Sequence, residues 1–157
     1  MYRATRSLIK AREPYTEGMP LRCVYVSQGS SGVPKRCYSN SFKAKEDALA
    51  NGRRVAMVSG WIVQPYDKVN NVVAIIAHWW NMDEKGRFFD TTPFTTFPGE
   101  YVQDTQIQKF CIENDVYLDT HLICSLLYEN GKFSKLLNEE SMLFAPLTDL
   151  STAQLFA

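Results

Sequence analysis

The stretch that decides the fold is residues 72–90, VVAIIAHWWNMDEKGRFFD. Its first part, from Val72 to Met82, is rich in β-branched and aromatic residues and favours a β-strand. Residues 83–86, DEKG, then form a turn signal with glycine at the position where a bulged hairpin turn requires positive φ. Residues 87–90 then form a second predicted strand, which runs back along the first. The stretch therefore predicts a β-hairpin.

Upstream of the hairpin, the sequence predicts two further strands and one helix. Residues 21–26 are typical of a short strand, and residues 55–63 of a second, longer one. Between them, residues 28–34 contain glycine and proline and predict a loop. Apolar residues at helical spacing then predict a helix over about 38–51, which ends at the stop signal Asn51-Gly52.

Length and charge limit the possible functions. The chain has 157 residues, with 17 basic and 17 acidic side chains. A chain of this length buries roughly two-thirds of its unfolded surface, so we expect one domain over 1–157. Balanced charge gives no basic surface for nucleic acid. No apolar run approaches the about 20 residues of a membrane span, and the N-terminus lacks the apolar core of a signal peptide. We expect a cytoplasmic protein without nucleic-acid or membrane partners.

The two ends of the chain carry weaker signals than its middle. Residues 1–20 are basic and contain Pro14 and Pro20, so we expect an N-terminal arm that packs late or not at all. Residues 21–97 carry the strongest patterning and form the predicted catalytic core. Residues 98–157 alternate apolar segments with turn signals, and we expect them to complete that core.

Cysteine and histidine are too sparse to predict a metal centre. The chain has two histidines and four widely spaced cysteines, which are Cys23, Cys37, Cys111 and Cys124. No pair forms a Cys-x-x-Cys clamp, and a cytoplasmic compartment disfavours disulfides. We therefore expect no metal and no cofactor, and the first interpretation of each cysteine is a small buried residue.

Cys37, His78 and Asp90 are nevertheless candidates for nucleophilic acyl chemistry, which needs a thiolate, a base and a group that orients the base. Cys37 directly precedes the predicted helix, where the positive end of the helix dipole favours a thiolate over a thiol. The backbone N–H of Cys37 is the first candidate donor to an oxyanion there. His78 and Asp90 lie on the two strands of the hairpin.

The length of the hairpin loop decides whether His78 and Asp90 can meet, because alternate residues of a strand point to opposite faces. A three-residue loop that ends in Gly86 pairs even-numbered positions with even-numbered positions. Asp90 then lies directly opposite His78 or one diagonal step away, within reach of a hydrogen bond. A loop of two or four residues would place the two side chains on opposite faces.

Each of these three residues also has a purely structural interpretation. A cysteine at a helix start often fills a core, and a histidine among large apolar residues is often a hydrogen-bonded core residue. An aspartate before Thr91-Thr92-Pro93 can cap a turn. The structural interpretations are independent of one another, whereas a triad accounts for all three positions together. Both interpretations stay open at this point.

Trp80 alternates onto the same strand face as His78, and Trp79 onto the reverse face. Trp80 can therefore line a substrate cleft or fill the core, whereas we expect Trp79 to be a core residue. Trp80 is included among the candidate substrate-binding residues.

Four short stretches carry a resemblance to a known superfamily. They are KRCYSNS at 35–41, VSGW at 58–61, HWWN at 78–81 with Gly86-Arg87, and DTTP at 90–93. In this order they resemble the transglutaminase-like, papain-like cysteine enzyme superfamily over residues 35–93. Two positions depart from the pattern. Ala77 stands where an acidic residue is common, and Asp90 is followed by Thr-Thr-Pro instead of Pro-Thr.

The resemblance implies an α+β fold with a papain-like or transglutaminase-like core, in which a nucleophile-bearing helix packs on an antiparallel β-sheet. It implies that Cys37 is the nucleophile, His78 the general base and acid, and Asp90 the orienting carboxylate. By analogy, Gln28 is a second candidate oxyanion donor. Asn40 matches an asparagine of the family, and for it we expect a structural role at the helix start or a neighbouring loop.

The function implied by the resemblance is that of a cysteine-dependent hydrolase, like a protease or peptidase, which cleaves a peptide or isopeptide-type amide through a thioester. One alternative is an acyltransferase of the transglutaminase type. Another is an inert protein that binds a polypeptide or nucleotide on the same scaffold. Short chains with this pattern resemble phage proteins aimed at one host protein, which would act in the host cytoplasm. We expect a polypeptide substrate and a monomer or small homo-oligomer.

Overall fold

The computed structural model describes residues 2–16, 20–34, 36–93, 99–113 and 125–135. Within them the fold is α+β, which confirms the coarse fold class. The elements are α1 (Arg3–Arg12), a 3-10 helix (Glu13–Tyr15), β1 (Arg22–Val24), β2 (Val26–Gln28), α2 (Cys37–Ala50), β3 (Val55–Asp67), β4 (Val72–Asp83), β5 (Phe88–Asp90), β6 (Glu100–Gln103), α3 (Thr105–Glu113), β7 (Ser125–Glu129) and β8 (Lys132–Lys135).

The helix and strands predicted for the middle of the chain are confirmed, with small shifts at their ends. The predicted helix at 38–51 is α2, and the long strands are β3 and β4. Gly52, directly after the C-cap of α2, has a φ of +72°, the left-handed conformation that a helix stop requires. The predicted strand at 21–26 is instead divided at Tyr25 into β1 and β2, which pair with different neighbours.

The strands form one curled sheet. Its order is β1-β6-β3-β4-β5-β2, and β7 and β8 are attached through β4. β1 and β2 stand at opposite ends of this order although Tyr25 alone separates them in the chain. β1 pairs antiparallel with β6, whereas β2 pairs parallel with β5. The direct connection from β1 to β2 therefore brings the two ends of the sheet together.

The two faces of the sheet bury different sets of side chains. One face packs against α1 and α3 in the larger core, which includes Leu8, Trp61, Ile75, Trp79 and Ile107. The other face is lined by β2, β3, β4 and β6, and its smaller core contains Val26, Val58, Ile62, Trp80 and Tyr101. Because side chains alternate along β4, His78 points to the same face as Trp80.

The structure corrects the expectation that residues 1–20 form an arm that packs late or not at all. Residues 3–12 form α1, whose Leu8 side chain is fully buried in the larger core. Nε of Arg12 donates to Oδ2 of Asp104 at 2.7 Å, and both side chains are buried. The basic residues suggested a solvated arm, but one of them pairs with a distant carboxylate inside the protein.

Residues 98–157 contribute to both cores where the structure describes them. The buried residues are Tyr101 and Val102 of β6, Ile107 and Cys111 of α3, and Leu126 and Tyr128 of β7. One turn signal of this region, Glu129-Asn130-Gly131, connects β7 to β8, with positive φ at Asn130 and Gly131. His121, Cys124 and the chain after residue 135 lie outside the described residues.

Candidate active site

The β4–β5 hairpin has the loop length that the predicted triad requires. The backbone N–H of Asp83 donates to the carbonyl of Arg87 at 2.9 Å, which leaves a three-residue loop ending in Gly86. Gly86 has a φ of +75°, as a bulged turn needs. The Asp83 carboxylate accepts the backbone N–H groups of Lys85 and Arg87 and stabilises the turn.

The register of this hairpin brings His78 and Asp90 together on one face. Met82 pairs with Phe88, so even-numbered positions face even-numbered positions. Two residues further on, Asp90 is level with Trp80 and one diagonal step from His78. Nε2 of His78 lies 2.6 Å from Oδ2 of Asp90.

The Asp90 carboxylate is 1% exposed and has three hydrogen-bond partners. Besides His78, Oδ2 accepts the hydroxyl of Tyr101 at 2.7 Å. Oδ1 accepts the backbone N–H of Thr92 at 2.9 Å. Both carboxylate oxygens are thus occupied as hydrogen-bond acceptors. Asp90 can therefore act as the acceptor that orients His78.

The start of α2 packs against a gap in the strand pairing of β4. β7 pairs with residues 73–76 of β4 and β5 with residues 81–82, so residues 77–80 lie between the two pairing segments. Oγ of Ser41 donates to the backbone oxygen of Trp80 at 2.8 Å, and Nδ2 of Asn81 donates to the carbonyl of Ser41 at 2.9 Å. These bonds hold the first turns of α2 beside His78.

Cys37 is the first residue of α2, and its thiol lies close enough to His78 to raise the pKa of the ring. Because Nε2 of His78 is engaged with Asp90, Nδ1 is the ring nitrogen left for Cys37. The backbone N–H of Cys37 belongs to the helix start, where N–H groups have no acceptor within the helix. The chain of contacts from Asp90 through His78 to Cys37 is thus continuous.

The charges of this cluster favour a protonated histidine. Burial by itself lowers the pKa of His78, but the charge of Cys37 and the hydrogen bonds from Asp90 and Cys37 outweigh it. Together they raise the pKa of His78 to about 10. An imidazolium beside a cysteine stabilises the thiolate, because the two charges attract each other where little water screens them.

Gln28, the second candidate oxyanion donor, is hydrogen-bonded to Tyr101. It is the last residue of β2 and is level with Asp90 in the parallel pairing with β5. Its Nε2 donates to the hydroxyl oxygen of Tyr101 at 2.5 Å. A side-chain amide carries two N–H donors, so a second one remains for an oxyanion.

Asn40 has the bracing role that we expected and makes a poor substrate contact. Its Oδ1 accepts the N–H of Val33 at 2.9 Å, and its Nδ2 donates to the carbonyl of Val33 at 2.8 Å and to Oγ1 of Thr92 at 2.9 Å. The side chain thereby ties α2 to the loop after β2 and to the residues after Asp90. Both amide hydrogens are used, so Asn40 has none to offer a substrate.

Trp80 shares the face of His78, as the alternation predicts, but it is fully buried. Its ring lies roughly parallel to that of His78, with centroids 6.3 Å apart. It meets the ring of Tyr101 edge to face at 5.1 Å. The structure therefore corrects the suggestion that Trp80 binds substrate: this indole fills the smaller core behind the histidine. Trp79 lies in the larger core, as expected.

Sequence reasoning missed Tyr101, the residue that connects Asp90 to Gln28. Tyr101 pairs with Ile62 across β6 and β3, which places it on the face of His78. Burial, followed by the negative charge of Asp90, raises the pKa of Tyr101 well above its ordinary value. The hydroxyl therefore keeps its proton. The alternation of side chains along β6 would have placed Tyr101 on this face only if the pairing of β6 with β3 had been known.

The part of the chain that the structure describes has free thiols, but no cluster of metal ligands and no helix that could span a membrane. Cys23, Cys37 and Cys111 are free thiols. No group of three or more histidine, cysteine or acidic side chains within that part could hold a metal ion. In the same part, every helix is too short or too polar to cross a membrane.

Comparisons with protein-family models, with curated proteins and with solved structures found no match. Cys37, His78 and Asp90 are 6%, 5% and 1% exposed, whereas Gln28 is exposed. Gln28 is therefore the solvent-facing member of this group.

Proposed function

We propose that the chain is a cysteine-dependent hydrolase, protease-like or peptidase-like, with a papain-like or transglutaminase-like core. The observation that carries this proposal is the 2.6 Å contact between His78 and Asp90, with Cys37 beside the histidine at the first residue of α2. A buried histidine that joins a carboxylate to a thiol at the first residue of a helix is the arrangement that activates a cysteine nucleophile.

In the proposed reaction, the thiolate of Cys37 attacks the carbonyl carbon of an amide and forms a C–S bond. The negative charge that develops on the carbonyl oxygen is stabilised by the N–H of Cys37 and the side chain of Gln28. His78 gives its proton to the departing amine as the C–N bond breaks, which leaves a thioester and a neutral imidazole. Asp90 keeps the imidazole oriented throughout.

The second half of the reaction regenerates the enzyme. His78 accepts a proton from water, the resulting hydroxide attacks the thioester carbonyl, and the C–S bond breaks to release a carboxylic acid. Cys37 returns as a thiolate and His78 as an imidazolium. An amine in place of water would give the acyltransferase reaction on the same residues.

A polypeptide is the proposed substrate, cleaved at a peptide or isopeptide-type bond. An extended chain can reach a nucleophile whose surroundings are mostly buried, because it needs only a shallow path past Gln28 and Cys37. A cytoplasmic host protein as target, attacked by a phage-encoded enzyme, is the setting that the sequence resemblance suggests. A monomer or small homo-oligomer remains the proposed assembly.

An activated ester tests the proposal without knowledge of the natural substrate. The purified protein is mixed with p-nitrophenyl acetate, release of p-nitrophenolate is followed, and the acetylated residue is located by peptide mass spectrometry. We expect acetyl transfer to Cys37 that is lost in Cys37→Ala and slowed in His78→Ala. Acetylation of Cys37 no faster than that of Cys23 and Cys111 would indicate an inert binding protein on this scaffold.

A further inference from the structure

We propose that Tyr101 is a positioning residue that couples Asp90 to Gln28, so that one hydroxyl fixes the general base and the oxyanion donor together. The inference rests on the proposed function and adds a residue to its site. Its basis is that the hydroxyl of Tyr101 lies between Oδ2 of Asp90, at 2.7 Å, and Nε2 of Gln28, at 2.5 Å.

The direction of each hydrogen bond in this chain follows from the carboxylate. An ionised Asp90 can only accept, so the single proton of Tyr101 is donated to it. The hydroxyl oxygen of Tyr101 can then only accept a further bond. The side chain of Gln28 must therefore turn its NH2 group, and not its carbonyl oxygen, towards Tyr101.

This direction matters because an amide side chain can otherwise rotate to present either end. With NH2 fixed at Tyr101, the second hydrogen of Nε2 is held in one orientation at the exposed end of β2. A donor that is already oriented stabilises a developing oxyanion without having to reorganise. Tyr101 thus orients the side chain of Gln28, just as Asp90 orients the side chain of His78.

The ring of Tyr101 is held firmly enough for this role. Tyr101 is 3% exposed, and its ring packs edge to face against Trp80 at 5.1 Å and against His78 at 6.0 Å. A change from tyrosine to phenylalanine keeps these ring contacts and removes the hydroxyl alone. Tyr101→Phe therefore separates the hydrogen-bonding role of the residue from its packing role.

Tyr128→Phe is the matched control. Tyr128 is also buried, at 6% exposure, and its hydroxyl lies 3.0 Å from Oγ of Ser7, in the larger core. Both variants lose one buried hydroxyl and its hydrogen bonding. An effect found in Tyr101→Phe and absent from Tyr128→Phe is therefore specific to the proposed site.

Two reagents separate the reactivity of the Cys37 thiolate from the stabilisation of the oxyanion. Iodoacetamide alkylates a thiolate by displacement of iodide and forms no oxyanion, whereas p-nitrophenyl acetate passes through a tetrahedral oxyanion. Loss of one oxyanion donor costs about 100-fold or more in rate, and we expect Gln28→Ala to slow acetylation of Cys37 to that extent with little change in alkylation. Disorienting the donor costs less, so Tyr101→Phe should slow acetylation about 10-fold.

Two further readouts separate positioning from a structural effect. We expect Tyr101→Phe to slow acetylation less in the Gln28→Ala background than in the wild-type protein, because the part of its effect that acts through the Gln28 amide is already lost there. The downfield proton NMR signal of Nε2–H of His78 should shift in Tyr101→Phe, since Oδ2 of Asp90 loses its second donor. The same signal should not move in Tyr128→Phe.

The outcomes distinguish this inference from the proposed function. If Cys37 of the wild-type protein reacts in a His78-dependent way while Tyr101→Phe behaves like Tyr128→Phe in acetylation and in the NMR signal, only the inference is wrong. If Cys37 reacts at the same rate in wild type and in His78→Ala, both are wrong. Gln28→Ala tests the inference even if Tyr101→Phe does not fold, because Gln28 is exposed: equal slowing of acetylation and alkylation in this variant would contradict the oxyanion role.

Discussion

Nε2 of His78 lies 2.6 Å from Oδ2 of Asp90, although the two residues are one diagonal step apart in the pairing of β4 with β5. The diagonal contact is possible because the hairpin loop has three residues and keeps both side chains on one face. It also leaves Trp80, directly level with Asp90, to fill the core behind the histidine. The orientation of the histidine thus follows from the length of one turn.

Asp90→Asn should lower the pKa of His78 from about 10, because the variant loses the carboxylate charge next to Nε2. The measurement is an NMR titration of the His78 ring, and Asp47→Asn on the exposed surface of α2 is the control. An unchanged pKa of His78 in this variant would mean that Asp90 neither orients the ring nor raises its pKa. Acetylation of Cys37 should fall in the same variant.

The stabilisation that His78 itself contributes should fall as the pH rises from about 6.5 to about 10. The pKa of His78 is raised from 6.5 to about 10 in the folded protein, so between these values the folded-state ring holds a proton that the unfolded-state ring lacks. The stabilisation is fully present below pH 6.5 and is lost as the pH passes through the folded pKa. Urea unfolding of wild type and His78→Gln at several pH values measures this difference, which should shrink towards alkaline pH. A difference that stays constant across the range would contradict the raised pKa.

Asn40→Ala should destabilise the fold by about 1–3 kcal/mol, because the backbone of Val33 and the buried hydroxyl of Thr92 lose their partner. We also expect faster amide hydrogen exchange in the loop after β2 and slower acetylation of Cys37. Asn70→Ala, which removes an exposed asparagine bonded to Asp67, is the control and should change little. Equal effects of the two substitutions would argue against a brace at Asn40.

Arg12→Met should cost about 3–5 kcal/mol of unfolding free energy, since it leaves the buried Asp104 carboxylate without its cation. Asp104 also accepts Nε1–H of Trp61 at 2.9 Å, so the loss should affect the packing of α1 on the larger core. Lys43→Met breaks an exposed ion pair and should cost much less. A small effect of Arg12→Met would restore the view of residues 1–20 as a weakly packed arm.

The sequence predicts the middle of the fold well because its signals are local. The α2 stop at Gly52 and the hairpin turn at Gly86 each need a left-handed residue, and glycine marks both positions. The three-residue loop then settles the faces of His78 and Asp90 by parity alone. These features depend on neighbours within a few residues, which is why pattern reasoning reaches them.

The remaining features depend on pairings between distant segments. Arg12 meets Asp104 across 92 positions, and Tyr101 reaches Asp90 only because β6 pairs with β3. The division of the 21–26 strand at Tyr25 follows from the curling of the sheet, which gives β1 and β2 different partners. Burial of Trp80 likewise depends on Tyr101 packing against it.

Activation of Cys37 by His78 can be measured as the rate of iodoacetamide alkylation at each cysteine near neutral pH. Cys37 is 6% exposed and Cys23 is half-buried, so accessibility alone predicts that Cys23 reacts first. With activation by His78, we expect Cys37 to react first in the wild-type protein and to lose this advantage in His78→Ala. Faster labelling of Cys23, or a Cys37 rate that is the same with and without His78, would contradict it.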